Sequence, residues 1–512
     1  MRRYQLAWVL AALLTAGAAA SQAQQPAAGS ASAGRPLNVL LIISDDLRAE
    51  LGCYGVERAK TPHIDALAAA GVRFERAYCQ FPLCNPSRSS MLTSRYPATT
   101  GVYGNRDWFG ARHPEFVSLP RWFKDHGYPT LRAGKIFHGG IDDADAWRVG
   151  GDARQFGAMN VAPRTIFAQQ AAPAPEATPA GAPPAGAGDD PDDAPASGAL
   201  TRAQRSDRWL VLPGEGERNG DYRNATRAIE LLREHQRDRF FLAVGFSKPH
   251  SPPQAPQSCY DLYPVDSIEL PPDFAARPTV PEGFPRQSIR PRNSDLFIGR
   301  DATPQEAREM KRAYLASVSF MDRNVGRVIA ELDRLGLREN TVIVFWGDHG
   351  YQLGEKGKWS KAGSLWEQGC RTPLIVAAPG AAGNGRSSPR IVEAIDIYPT
   401  LVELCGLPVP PGIEGRSLAP LLADPQLAWD RPAFTIWSED GRTATGIAVR
   451  TEKWRYAEYG NGEAAMLLDE LADPHEMKNL ADDPAHADVR RELSGLVQRH
   501  RSLATTPKGA SP

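Results

Sequence analysis

Residues 38–46 read NVLLIISDD, a short apolar run that ends in a serine and two adjacent aspartates. Two later stretches have the same form: residues 240–250 read FFLAVGFSKPH, and residues 341–349 read TVIVFWGDH. Continuous apolar runs of this length are typical of strands that are buried on both faces of a parallel sheet. Apolar residues at helical spacing lie between them, at 224–234 and 306–335. This alternation predicts an α/β fold with a large, mostly parallel sheet sandwiched by crossover helices.

A second region begins after residue 425. Strand-like segments at 433–437, 446–449 and 454–456 precede a turn at Asp473-Pro474 and a helix at 487–500. They predict a smaller C-terminal α+β subdomain over residues 426–505, which follows a main domain over residues 36–425.

Within the main domain, residues 168–200 consist mostly of Ala, Pro, Gly and Asp, with almost no large apolar side chain. Such a segment cannot bury enough surface to order itself, so we predict a low-complexity surface insertion there.

The N-terminus has the form of a signal peptide over residues 1–23. Arg2 and Arg3 precede an apolar run that reaches a small-residue site at 21–23. The run is short for a membrane span, so we expect export to the periplasm or the exterior and no stable membrane insertion; an uncleaved anchor is the alternative. The formal net charge of -1 gives no basic surface for nucleic acid, and we expect no such partner.

The chain has 6 cysteines, and no two of them have CxxC spacing, which argues against a cysteine metal cluster. If Cys84 is reserved for chemistry, the others can form at most two disulfides and leave at least one free thiol.

The polar clusters at the strand ends predict a metal site. Asp45 and Asp46 would repel each other at the end of a buried strand unless a cation or hydrogen bonds compensate them. Asp348 and His349 end another such strand, and ligands of α/β sheets bind beyond the carboxyl ends of the strands. Carboxylate and carbonyl oxygens are the ligands that Ca²⁺ prefers. The alternatives are a helix N-cap for the aspartates and an ordinary turn for Asp348-His349.

Residues 84–93, CNPSRSSMLT, have the pattern of a helix start. Asn85 can cap the helix, and Pro86 suits its first position. Free N–H groups and the positive end of the helix dipole make this a good site for a tetrahedral oxyanion. Arg88, four residues after Cys84, can lie on the same face and bridge a nucleophile and a metal. An ordinary buried cysteine beside a helix cap is the alternative.

This segment resembles the signature of the type I sulfatases, Cys-x-Pro-Ser-Arg followed by Leu-Thr, in which the cysteine is converted to formylglycine. The resemblance covers residues 37–480 apart from the insertion, and it is closest to the iduronate-2-sulfatase branch, which shares Gly52-Cys53-Tyr54-Gly55 and the histidine at position 349. It implies an alkaline-phosphatase-like fold. The other motifs that occur in sulfatase order lie at 44–46, 61–68, 134–138, 248–250, 314–327, 347–350 and 396–400.

The resemblance also implies a role for each candidate residue. Arg88 would polarise a hydroxyl of hydrated formylglycine that attacks the sulfur. His250 and Lys361 would protonate the leaving oxygen and hold the sulfate, while Lys135 and His138 would hold the formylglycine and sulfate oxygens, with His138 or a neighbour taking the second hydroxyl's proton. One Ca²⁺ ion would have five ligands: Asp45, Asp46, Asp348, His349 and the modified Cys84.

Each assignment has an ordinary alternative. Because a histidine ligand is softer than calcium prefers, magnesium or another divalent ion could serve instead. Lys361 could belong to a solvated cluster with Lys356 and Lys358, Lys135 could be a surface charge, and His138 or His250 could be a packed histidine.

One position departs from the family pattern. Ser94 stands where sulfatases usually have the glycine of Leu-Thr-Gly-Arg, in a region that the formylglycine-generating maturation enzyme reads. We therefore expect that enzyme as a partner, with conversion of Cys84 less efficient or dependent on a different enzyme.

The expected function is hydrolysis of sulfate esters of carbohydrates, by an exo-acting enzyme on 2-O-sulfated uronic acids of glycosaminoglycans. One alternative is a sulfatase for other sulfated polysaccharides, from plants or algae. A phospho- or phosphonate ester hydrolase of the same superfamily and an inactive polysaccharide-binding protein are further alternatives. The intact Cys84-x-Pro-Ser-Arg88 motif argues against both of them.

Overall fold

The computed structural model describes residues 37–155 and 201–503. The predicted signal peptide and the predicted insertion at 168–200 lie outside these ranges. The strands of the described residues, in chain order, are β1 (Asn38–Ser44), β2 (Val72–Tyr78), β3 (Thr130–Gly134), β4 (Leu210–Leu212), β5 (Phe241–Phe246), β6 (Gln254–Pro256), β7 (Thr341–Gly347), β8 (Arg371–Ala377), β9 (Ser387–Glu393), β10 (Ala433–Trp437), β11 (Gly446–Arg450), β12 (Trp454–Tyr459) and β13 (Ala464–Asp469).

The centre of the described part is a seven-stranded sheet in the order β3-β5-β1-β7-β8-β2-β9. Strands β3, β5, β1 and β7 are parallel, β8 is antiparallel to both of its neighbours, and β2 and β9 are parallel to each other. This confirms the predicted large, mostly parallel sheet. Strand β1 lies between β5 and β7, with Ser44 level with Phe246 and Gly347. The three sequence stretches that end in polar residues therefore end at one edge of the sheet.

Helices cover the sheet, and apolar clusters fill the space on both of its faces. The longest described helix begins at Pro304, two residues before the predicted start, because Thr303 and Glu306 form a capping box. The helices are α1 (Pro62–Ala70), α2 (Cys84–Thr93), α3 (Pro97–Thr100), α4 (Phe109–Arg112), α5 (Leu119–Asp125), α6 (Arg202–Ser206), α7 (Gly220–Glu234), α8 (Gln257–Tyr260), α9 (Pro304–Arg334), α10 (Glu367–Cys370), α11 (Ile397–Leu404), α12 (Ala419–Ala423) and α13 (Ala487–Leu503).

The C-terminal part forms an antiparallel sheet, β10-β11-β12-β13, against which α13 packs. The predicted strands and final helix are present, but the sequence pattern missed β13. Its sequence, AAMLLD, has no alternation of apolar and polar residues, and its pairing with β12 defines it as a strand. The boundary at 425/426 between two domains stays a prediction.

All six cysteines are free thiols, so the structure uses none of the disulfides that the sequence permits. None of the helices in the described ranges combines the length and the apolar character that crossing a bilayer requires.

Candidate functional site

The ends of β1 and β7 bring two polar pairs together. The N–H of Asp348 donates to the carbonyl of Ser44 at 3.1 Å, which extends the contact between the two strands by one residue. Asp46 then leaves the sheet with a φ of 59°, and its N–H donates to Oδ1 of Asp348 at 3.1 Å. Asp45, Asp46, Asp348 and His349 are completely buried. The predicted strand-end cluster is therefore present.

The ring of His349 has a fixed orientation. Its Nδ1 lies 2.9 Å from the carbonyl oxygen of Gly350, which can only accept, so Nδ1 carries a proton and Nε2 faces the candidate ligands. Around Nε2, at 3.3–4.0 Å, lie the sulfur of Cys84 and one oxygen each of Asp45, Asp46 and Asp348. A ring nitrogen that faces a sulfur and three carboxylate oxygens needs a cation or a proton between them.

These residues fit a hard divalent cation. The ligand atoms of Asp45, Cys84, Asp348 and His349 all lie within 4.8 Å of one another. Oδ1 of Asp46 is buried and accepts no hydrogen bond from any described residue. Burial raises the pKa of Asp46, and the neighbouring His250 and Lys361 side chains only partly offset it. A bound cation would favour the ionised carboxylate, as calcium coordination requires.

Helix α2 begins at Cys84, two residues earlier than the capping pattern implied. Its N-cap is Leu83, whose side chain makes no capping bond and whose carbonyl accepts from the N–H of Ser87 at 3.1 Å. The prediction that Asn85 caps the helix is therefore wrong, and Pro86 is the third helical residue instead of the first. Proline fits there because a first-turn N–H has no partner within the helix.

Asn85 ties the start of α2 to the loop at 104–107. Its side-chain amide donates to the carbonyls of Gly104 at 2.8 Å and Asp107 at 2.7 Å, and its N–H donates to Oδ1 of Asn105 at 3.2 Å. This loop therefore lies beside Cys84, a contact that the sequence pattern did not predict.

Arg88 is completely buried and links the candidate metal ligands to the segment after β3. Its Nε donates to Oδ2 of Asp348 at 2.9 Å, its Nη1 donates to the carbonyls of Lys135 and Ile136, and its Nη2 lies 3.7 Å from Oδ1 of Asp45. Burial lowers the pKa of Arg88, but Asp348 and Asp45 outweigh it and raise the pKa. A permanent positive charge thus lies against two of the candidate ligands.

Lys135 lies on the same side of Asp45. Its Nζ lies 2.7 Å from Oδ2 of that carboxylate. Burial opposes the ionisation of Asp45, yet Lys135 and then Arg88 hold its pKa well below the usual range. The chain reaches this position through Gly134 at a φ of 80°, where a Cβ would lie 2.1 Å from a backbone oxygen of β5. His138 is buried three residues further on.

His250 and Lys361 form a pair on the other side of Asp46. Nδ1 of His250 lies 2.8 Å from the carbonyl of Ser251 and donates to it, so Nε2 accepts from Nζ of Lys361 at 2.9 Å. Lys361 also donates to Oδ2 of Asp46 at 2.9 Å. A lysine, a histidine and a candidate metal ligand are therefore in direct contact.

The alternative that Lys361 belongs to a solvated lysine cluster is wrong, because Lys356, Lys358 and Lys361 are all buried. The structure thus brings Asp45, Asp46, Cys84, Arg88, Lys135, His250, Asp348, His349 and Lys361 into one contact network. Their roles in catalysis, and that of His138, stay predictions.

Sequence reasoning missed two acidic residues that support this network. Asp295 is completely buried, accepts from Arg202 at 3.0 Å and lies 3.9 Å from Nζ of Lys361. Burial opposes its ionisation, but Lys361 and Arg202 lower the pKa of Asp295. Asp221 accepts the N–H groups of residues 247 and 248 and so holds the turn before His250. Neither aspartate lies in a recognisable motif.

Two family models match the chain. One, described as Sulfatase, matches residues 37–407, and one described as N-sulphoglucosamine sulphohydrolase, C-terminal, matches residues 354–502. A sulfatase of Formosa agariphila is 32% identical across 87% of this chain and 83% of its own length. Iduronate 2-sulfatase of Mus musculus is 30% identical across 88% of this chain and 90% of its own length.

Among solved structures, phosphonate monoester hydrolase of Agrobacterium radiobacter aligns with a TM-score of 0.69. The alignment covers 91% of this chain and 96% of the hydrolase at 22% sequence identity. This likeness confirms the predicted fold class.

Proposed function

Because the chain belongs to the sulfatase family and is therefore a sulfuric ester hydrolase, we propose that it is an exo-acting enzyme that removes 2-O-sulfate from uronic acids of glycosaminoglycans. One observation carries the chemistry: the sulfur of Cys84 lies 3.3 Å from Oδ1 of Asp45 and 3.4 Å from Nε2 of His349, inside a buried cluster of carboxylates and cations. The similarity to mouse iduronate 2-sulfatase supports the choice of sugar.

Residue 84 acts as formylglycine in this proposal, made from cysteine by a formylglycine-generating enzyme. Burial raises the pKa of the Cys84 thiol, and Asp45 raises it further, so the unmodified side chain is a poor nucleophile. Formylglycine supplies a nucleophilic hydroxyl there, and one Ca²⁺ ion supplies Lewis-acid polarisation. The ion would be held by Asp45, Asp46, Asp348, His349 and residue 84.

The cationic side chains orient the sulfate and move protons. Lys135 and Arg88 contact Asp45 from the side of α2, where they can also hold sulfate oxygens. Lys361 donates to Nε2 of His250, so a proton can move along this bond and from the pair to the leaving sugar oxygen. His138, which is buried beyond Lys135, would remove a proton from the nucleophile.

The charge of the site supports an anionic sugar. The carboxylates of the site are matched by an equal number of cationic side chains, so a bound divalent ion would give the site a net charge of two positive units. A sulfate ester neutralises only one of them. A uronate carboxylate neutralises the other. The groups counted are Asp45, Asp46 and Asp348 against Arg88, Lys135 and Lys361.

The signal-peptide pattern at residues 1–23 supports a periplasmic or extracellular location, where such sugars are met. The principal alternative is a sulfated polysaccharide of plants or algae. Phosphonate ester hydrolysis is less favoured, because both candidate ligand groups of the described residues share Cys84 and so form one metal site.

The test is sulfate release from a 2-O-sulfated uronate disaccharide with Ca²⁺ present, using protein whose Cys84 peptide has the formylglycine mass. We expect release that Cys84→Ala abolishes and that chelation of calcium suppresses. If matured protein releases no sulfate from this sugar but hydrolyses other sulfated sugars, the uronate assignment is wrong while the sulfatase chemistry stands.

A further inference from the structure

One ion pair near the site has no part in the chemistry above. Nη1 of Arg290 donates to Oε2 of Glu439, and the other oxygen of Glu439 accepts from Nε1 of Trp437 at 2.8 Å. Arg290 belongs to the irregular segment before α9, and Glu439 follows β10. The Arg290 and Glu439 side chains are 15% and 48% exposed, so a solute can reach the pair.

Arg290 packs on the turn that follows Lys361. The N–H of Ser364 donates to the carbonyl of Lys361 at 3.0 Å, which closes a turn around Gly363 with a φ of 76°. A Cβ on Gly363 would lie 2.5 Å from Cδ of Arg290. Glycine therefore allows the arginine stem to lie directly on the turn of a proposed acid residue.

The same arginine is connected to the segment before Cys84. Its guanidinium lies over the ring of Trp437, 5.5 Å from the centroid, and that ring lies 5.2 Å from the ring of Phe81. The carbonyl of Phe81 accepts from the N–H of Leu83, the residue directly before Cys84. The ion pair is thus connected, through Gly363 and Trp437, to the segments that carry Lys361 and Cys84.

A second basic side chain, Lys358, lies near enough to Arg290 to be influenced by its charge. Lys358 is 2% exposed, and its Nζ donates to the carbonyl of Arg292 at 3.4 Å. Burial, and then the charge of Arg290, lower the pKa of Lys358 to about 7, although Asp295 and Glu439 act in the opposite direction. An anion bound here would reduce the repulsion between these two cations.

We propose that Arg290 binds the second anionic group of the substrate, the carboxylate of the sulfated uronic acid, and that Glu439 occupies Arg290 until the substrate displaces it. The proposal rests on the uronate assignment above. A guanidinium offers two parallel N–H groups that match a carboxylate, and Glu439 already places a carboxylate on it.

The experiment compares two sugars that differ only at the carboxylate: the 2-O-sulfated uronate disaccharide and its carboxyl-reduced form. Matured wild-type enzyme should prefer the uronate. Arg290→Gln should raise KM for the uronate about 10- to 100-fold with little change in kcat, the size expected for a charge-assisted hydrogen bond. Arg290→Gln should also no longer prefer the uronate over the carboxyl-reduced sugar.

A second variant gives an effect of opposite sign. Glu439→Gln removes the competing charge from Arg290, so KM for the uronate should fall about 2- to 5-fold, as for a partly exposed ion pair. Damage to the fold cannot lower KM in this selective way. The matched control is Arg390→Gln, because Arg390 forms a similar ion pair with Glu452 at 2.8 Å, in which the two side chains are 22% and 52% exposed. This variant should leave KM unchanged for the uronate and for the carboxyl-reduced sugar.

The two levels of the proposal fail differently. If wild-type enzyme prefers the uronate and Arg290→Gln keeps that preference, the role of Arg290 is wrong and the proposed function stands. If matured wild-type enzyme hydrolyses 4-nitrophenyl sulfate but neither sugar, the uronate assignment and the role of Arg290 fail together.

Discussion

Tyr314 shows how a single hydroxyl fixes the turn that carries Asp46. The hydroxyl donates to the carbonyl of Asp46 at 2.8 Å and accepts from the N–H of Arg48 at 3.1 Å. Asp46 has a positive φ, a conformation that costs a residue with a Cβ some free energy. Because Tyr314 satisfies both buried backbone groups, it stabilises the one conformation in which Asp46 faces Asp348 and His349.

Replacement of Tyr314 by phenylalanine should lower the free energy of unfolding by about 1–3 kcal/mol, since it leaves a buried donor and a buried acceptor without partners. Urea unfolding followed by circular dichroism measures the change. The control is Tyr351→Phe, because the hydroxyl of Tyr351 is also buried and donates to the carbonyl of Trp359 at 3.0 Å. If the two variants lose the same free energy of unfolding, the hydrogen bond from the N–H of Arg48 adds no stability.

At the scale of a single helix, the end of α2 explains the departure from the family pattern at Ser94. This residue is the C-cap, with φ 51° and ψ 44°, the left-handed conformation that glycine adopts without strain. Its hydroxyl donates to the carbonyl of Ile395 at 2.7 Å and accepts from the N–H of Gly415 at 3.1 Å. These two bonds offset the strain and attach α2 to the segments before α11 and α12.

We expect Ser94→Ala to be less stable than Ser94→Gly by about 1 kcal/mol. Both variants lose the hydroxyl, but only alanine keeps a Cβ in the left-handed region. Thermal and urea unfolding of the two variants beside wild type measure the difference. Equal stability of the variants would mean that the helix end relaxes out of this conformation, and the strain would then not exist.

For the molecule as a whole, one buried arginine joins the C-terminal sheet to the main body. Nε of Arg455 on β12 donates to Glu470 at 2.7 Å, and its other nitrogens donate to the carbonyl of Leu365 and to Glu367 of α10. Burial opposes the ionisation of Glu367, but Arg450 and then Arg455 lower its pKa to about 2. The contact therefore holds charged partners from both parts of the molecule.

Arg455→Met should lower the free energy of unfolding by about 3–5 kcal/mol, because it leaves buried carboxylates without one of their cations. Guanidinium unfolding followed by tryptophan fluorescence measures this. Arg338→Met is the control: Arg338 pairs with Asp333 at the surface, and its loss should cost at most about 1 kcal/mol. A loss below 1 kcal/mol for Arg455→Met would show that the network does not hold the two parts together.

The local sequence pattern was sufficient to predict the main strands and most residues of the candidate site. Apolar runs predicted β1, β5 and β7, and the rule that parallel strands end at one edge predicted that Asp45 and Asp46 lie close to Asp348. The order of short motifs indicated Cys84, Lys135 and Lys361 because sulfatases share these motifs. These features can be recognised in the sequence because each depends on neighbouring residues or on a fixed order along the chain.

Tertiary structure decided what depends on contacts between distant segments. The strands β8 and β13 are defined by the strands with which they pair. The side chain of Asn85 does not cap α2, because it donates to a carbonyl of the loop at 104–107 instead. The ion pair of Arg290 and Glu439 joins residues 149 positions apart. The physical reason is that burial and side-chain direction depend on packing across the whole fold, which residue type and local spacing do not encode.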